Sequence, residues 1–113
     1  MSHAAGTHLI LDFFGARNLD NVEYVHDVLV DASKAIGATI LEVHTHQFEP
    51  QGVTGVVLLA ESHMSIHTWP EDSFVAIDIF VCGDLDPSKA IETLKAAFYP
   101  KDVQSFEIKR GIK

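Results

Sequence analysis

Residues 53–81 leave room for little except neighbouring strands. Residues 53–60 form a near-continuous apolar run, and residues 74–81 form a second. In the second run Phe74, Ala76, Asp78 and Phe80 alternate with Val75, Ile77, Ile79 and Val81, and Asp78 is the only charge. Period-two alternation is the signature of a strand with two unlike faces. The first run is apolar on both faces, which predicts a central strand. The links in this region are too short for a crossover helix, so the pairing is antiparallel.

The rest of the chain fits around that unit. Residues 9–14 read as a strand that ends at Gly15. Val22, Val25, Leu29, Ala32 and Ile36 fall on one helical face, with Asn18 and Asp20 as candidate N-caps and Gly37 as the stop. Residues 39–48 are rich in β-branched side chains and read as a strand, and Pro50-Gln51-Gly52 turns it. Residues 63–68 make a short strand before Pro70. Asp86-Pro87 opens a second helix with Ile91, Leu94, Ala97 and Phe98 inward, stopped by Pro100. Residues 103–109 alternate as a last strand. The first seven residues are a short polar lead, expected to be poorly ordered. Two one-sided helices and a mainly antiparallel sheet predict an α+β two-layer sandwich, with both helices on one face. The other face is free for a partner subunit.

A chain of 113 residues suits one domain, 1–113. Its net charge of −8, with no cluster of Lys and Arg, argues against a nucleic-acid partner. Cys82 is the only cysteine, which excludes an internal disulfide. No signal peptide and no membrane-length apolar run is visible, so the expected location is cytoplasmic.

The stretch between the two apolar runs, Glu61-Ser62-His63-Met64-Ser65-Ile66-His67-Thr68-Trp69-Pro70-Glu71, holds two hydroxyl-bearing serines, two imidazoles, an indole and two carboxylates. On residue types alone several readings stay open. His63 and His67 are four apart, and His44 and His46 share one face of a strand; with Cys82 they suggest a zinc set. The bland reading is strand histidines bonded to backbone or solvent, with Trp69 a core plug and Cys82 a small buried residue. Nothing supplies a hydrolase triad around Ser62 and His67.

The string Glu61-Ser62-His63, then Ser65-Ile66-His67-Thr68-Trp69-Pro70-Glu71, with Cys82-Gly83-Asp84 beyond the next strand, closely resembles the small prokaryotic S-adenosylmethionine decarboxylase proenzymes. Gln51-Gly52-Val53-Thr54-Gly55 and the chain length resemble them too. The resemblance implies self-cleavage between Glu61 and Ser62, giving a 1–61 β chain and a 62–113 α chain headed by a pyruvoyl group made from Ser62. It implies His67 as the base of that processing. It makes Thr54 a processing helper, although the family carries serine there. A Schiff base at the pyruvoyl ketone would take up the electrons as CO₂ leaves, and Cys82 would protonate the product. Phe48, Trp69 and Glu71 would hold the nucleoside substrate. The implied enzyme is a carboxy-lyase of spermidine biosynthesis, working as a homodimer of αβ protomers or a larger assembly, with no metal assigned. Relatives with the same machinery act on arginine or ornithine, which is the alternative inside the family. A ligand-binding or metal-binding module that kept the fold is the alternative outside it.

Overall fold

The computed structural model describes residues 4–112. Six strands and two helices follow in the order β1 (Gly6–Phe14), α1 (Val22–Ile36), β2 (Ile40–Gln47), β3 (Val53–Leu59), β4 (Ser62–Trp69), β5 (Phe74–Cys82), α2 (Ile91–Phe98) and β6 (Asp102–Arg110). They form one sheet of order β2-β3-β4-β5-β1-β6, and every neighbouring pair is antiparallel. The α+β sandwich expected from the pattern is the one observed.

Burial follows strand parity. Leu9, Leu11 and Phe13 of β1, Met64 and Ile66 of β4, and Val75, Ile77, Ile79 and Val81 of β5 are buried. They pack under Val25, Val28, Leu29, Ala32 and Ile36 of α1 and Leu94 and Phe98 of α2. Gly55 lies where α1 packs on the sheet: a Cβ there would lie 2.6 Å from Leu29 Cδ1, so the buried Leu29 side chain would have to shift.

Four expectations need correction. β1 begins at Gly6, so Gly6 and Thr7 belong to the sheet; residues 1–3 lie outside the described residues. The N-cap of α1 is Asn21, whose side chain accepts from Tyr24 N, because Asn18 and Asp20 bond elsewhere. The turn opened by Asp86 is 3₁₀ over Pro87–Ala90, and α2 proper starts at Ile91. β3 is next to the edge rather than central. Val56 and Leu58 are 41% and 44% exposed, so the apolar outer face of β3 has another cause.

That cause is the uncovered face of the sheet. Phe14, Val56, Leu58, Trp69, Phe106 and Ile108 are all exposed on it. The strand registers line it in rows: Glu42-Leu58-His63-Phe80-His8-Ile108, then His44-Val56-Ser65-Asp78-Ile10-Phe106, then His46-Thr54-His67-Ala76-Asp12-Gln104. The face is thus mixed, with exposed apolar side chains set among histidines and carboxylates.

Candidate active site

The β3–β4 hairpin turns through only two residues, Ala60 and Glu61, since Leu59 pairs with Ser62. Glu61 has φ 61°, in the left-handed region where Gly or Asn is usual. Holding a non-glycine residue there costs on the order of 1–2 kcal/mol. The strain therefore sits on the residue whose carbonyl begins the Glu61–Ser62 bond.

Cys82, the last residue of β5, embraces that bond. Its Sγ lies 2.6 Å from the Glu61 carbonyl oxygen as a thiol donor, and its backbone N–H donates to Ser62 Oγ at 3.2 Å. Ser62 is 8% exposed. A buried serine hydroxyl, the Glu61 carbonyl and the Cys82 thiol thus converge at the β3–β4 turn.

His67 is elsewhere. It is five residues along β4 from Ser62, roughly 16 Å at strand spacing. An odd offset also puts the two side chains on opposite faces: Ser62 points at the core and His67 at the open face. His67 pairs instead with Thr54 across the β3–β4 ladder, Thr54 Oγ1 to His67 Nδ1 at 3.0 Å. With Phe48, Gly52, Trp69 and Glu71 they line a shallow cleft of about 250 Å³, below the roughly 300–1,000 Å³ usual for a pocket that encloses a small molecule. The site residues expected from sequence are therefore in two half-sites at opposite ends of the sheet: Glu61, Ser62 and Cys82 at one, and Phe48, Thr54, His67, Trp69 and Glu71 at the other.

The second half-site rests on a residue that sequence reading took only for a helix cap. Asp20 Oδ1 accepts from Gly52 N and from Gln47 Nε2, both at 2.8 Å. Phe48 N donates to Gly52 O at 2.8 Å and closes the turn. Gly52 has φ 106°, and a Cβ there would meet Thr68 O at 3.2 Å. Thr68 Oγ1 accepts from Val53 N and donates to Leu19 O. The 19–20 segment thus pins the turn carrying Phe48 against the strand end carrying Trp69. Its signal in the sequence was an acidic residue beside the helix start, which has two possible uses.

The suggested zinc set does not form. His44 and His46 lie on the edge strand β2, and Cys82 ends β5 three strands away. A different cluster sits mid-sheet. Asp78 accepts from Ser65 Oγ, with His8 Nε2 at 2.8 Å and His63 Nε2 at 3.5 Å from its other oxygen. Burial works against ionising this carboxyl, but hydrogen bonds from Ser65 and His8 and the positive charge available at His63 and His8 outweigh it. The net pKa is below that of an ordinary aspartate.

With this geometry in view, comparison with known proteins gives one answer. The family model described as S-adenosylmethionine decarboxylase matches residues 7–111. The S-adenosylmethionine decarboxylase proenzyme of Methanococcus maripaludis is 47% identical over 95% of this chain and 90% of its own length. That of Caldanaerobacter subterraneus is 41% identical over 97% and 91%. The crystal structure of the adenosylmethionine decarboxylase from Aquifex aeolicus superposes with a TM-score of 0.89 at 38% identity, covering 99% of this chain and 95% of that one. The Trypanosoma brucei AdoMetDC-delta26 monomer, at 18% identity and a TM-score of 0.66, shares the fold over 44% of its chain. Fold and relatives together define an enzyme of the decarboxylase class. The chain belongs to the S-adenosylmethionine decarboxylase family. Among the described residues no helix is long and apolar enough to cross a membrane.

Proposed function

We propose that this chain is a proenzyme that cuts itself between Glu61 and Ser62 and then decarboxylates S-adenosylmethionine. The observation that carries this reading is the Cys82–Glu61–Ser62 contact on a strained, two-residue turn. Ser62 Oγ attacks the Glu61 carbonyl carbon, the C–N bond breaks, and the nitrogen takes the hydroxyl proton. The Cys82 thiol stabilises charge on the carbonyl oxygen as it forms. A base then removes the Ser62 α-proton and the ester leaves as the Glu61 carboxylate. Water hydrolyses the dehydroalanine with loss of ammonia, leaving chains 1–61 and 62–113.

The pyruvoyl group so formed supplies the electron sink for carbon dioxide loss. Cys82, already touching the reacting turn, protonates the product carbon. Trp69 and Phe48 offer aromatic faces to the adenine and the sulfonium, and Glu71 accepts from ribose hydroxyls.

His67 can serve Ser62 only across an interface. Two sheets packed face to face lie about 10 Å apart. A two-fold axis through the open face would bring the partner's His67 over the Glu61–Ser62 turn, on the side where Cys82 faces out, with the Ser62 hydroxyl on the core side. The exposed apolar residues of that face are what such a dimer would bury, and each of its two sites would draw on both chains.

Carbon dioxide release from S-adenosylmethionine, arginine and ornithine by the cleaved protein tests the substrate. S-adenosylmethionine alone should be turned over; turnover of either free amino acid in its place would overturn the assignment. Asp20→Ala should raise KM about tenfold, some 1.4 kcal/mol of binding, with kcat within twofold. Asp20→Asn, which keeps an acceptor for Gly52 N–H, should restore most of it. A fall in kcat with unchanged KM would contradict a purely positioning role.

A further inference from the structure

We propose that His8, His63 and Asp78 form a binding site for a first-row transition ion of the zinc type on the open face of the sheet. His8 of β1 and His63 of β4 both pair with Phe80, from opposite sides of β5. Phe80 packs against both imidazoles, at centroid distances of 5.6 and 6.0 Å, and holds them over the same stretch of strand. Asp78, two residues back on the same face, reaches between them. The three ligand atoms lie within 4.8 Å of one another. Closing to the roughly 3.4 Å separation of ligands around a tetrahedral zinc asks for a small side-chain adjustment, open to the half-exposed His63.

The donor set selects the ion. Two imidazoles and one carboxylate suit zinc, cobalt or nickel, whereas magnesium and calcium want oxygens. Three protein ligands leave a fourth position open. Ser65 Oγ bonds the second Asp78 oxygen and orients the carboxylate, as the supporting hydrogen bonds of metal sites do. One neighbour opposes loading. Arg110 Nη1 lies 3.3 Å from His8 Nδ1. A histidine that ligates through Nε2 carries its proton on Nδ1, so it cannot accept from Arg110 at the same time. Ion and Arg110 therefore compete for His8. The site uses one chain's residues only, on the face that the proposed dimer would cover; its failure would leave the decarboxylase reading untouched.

Zinc affinity of the full chain is measured against a chromophoric chelator, with visible absorption of the cobalt form as a second readout. Each is done on the folded protein and after refolding with one equivalent of metal. One ion per chain is expected. His8→Ala, His63→Ala and Asp78→Asn should each weaken binding at least tenfold, and Ser65→Ala about tenfold. Arg110→Ala should tighten binding several-fold, a gain that a misfolded variant would not give. His44→Ala with His46→Ala should leave it unchanged. No uptake at micromolar zinc by either route, equal affinity without His8 and His63, or loss that follows His44 and His46 would overturn the proposal.

Discussion

Ser62→Ala stays a single full-length chain and releases no measurable carbon dioxide from S-adenosylmethionine. Alanine has the α-proton but no hydroxyl, so neither the ester nor the elimination can follow, and the pyruvoyl group never forms. The fold should survive, because among the described residues Ser62 Oγ makes one hydrogen bond, accepting from Cys82 N, at the end of a strand that Met64 and Ile66 anchor in the core. Intact mass under denaturing conditions reads the first half of the result and an unchanged melting temperature the second. A Ser62→Ala chain that still splits at residue 61 would remove Ser62 from the chemistry.

The second large effect is at Cys82. Its thiol touches the Glu61 carbonyl, and in the proposed reaction it also protonates the product. Cys82→Ala should therefore act twice. Cleavage slows, since the forming oxyanion loses a donor. Any enzyme that matures then loses its general acid, which costs roughly 10²–10⁴ in kcat with KM little changed. Cys82→Ser keeps a donor to the carbonyl but is a far weaker acid, so it should rescue cleavage more than turnover. Equal loss of both in the two variants would mean that the side chain only packs. Time courses of fragment appearance and single-turnover carbon dioxide release separate the two steps.

The strands were legible because alternation is local. β5 shows this best: its even-numbered face was read as the polar one, and Val75, Ile77, Ile79 and Val81 are the buried side. The same logic misplaced β3, whose two-sided hydrophobicity suggested a strand covered on both faces by its own chain. Its outer face, with Val56 and Leu58, lies bare in one protomer, and a single sequence does not say whether burial comes from within or from a second copy. The cap of α1 was missed for a related reason. Asn18, Asp20 and Asn21 all bear a suitable oxygen, and only the tertiary contacts of Asp20 with Gly52 and of Asn18 with Ala97 O decide which is spare.

The site was half legible. The resemblance named Ser62, His67 and Cys82, but the strand expected over residues 63–68 stopped short of Ser62, and only β4 as observed, Ser62–Trp69, puts Ser62 and His67 on opposite faces. What no local pattern gives is the convergence of His8 with His63 and Asp78. That depends on β1 closing against β5, a pairing between segments some seventy residues apart. The strain at Glu61 was equally invisible, because a glutamate in the left-handed region leaves no mark in composition or period.

In the proposed dimer the two half-sites meet across two chains. The direct measurement is to co-express differently tagged Ser62→Ala and His67→Ala chains, isolate the mixed dimer and take the mass of each chain. One of its two sites combines the serine of the His67→Ala chain with the partner's intact His67. The account predicts that the His67→Ala chain is cut after Glu61, although it stays whole in its own homodimer, while the Ser62→Ala chain remains full length. A mixed dimer in which both chains stay whole, under conditions where wild type cuts, would contradict it.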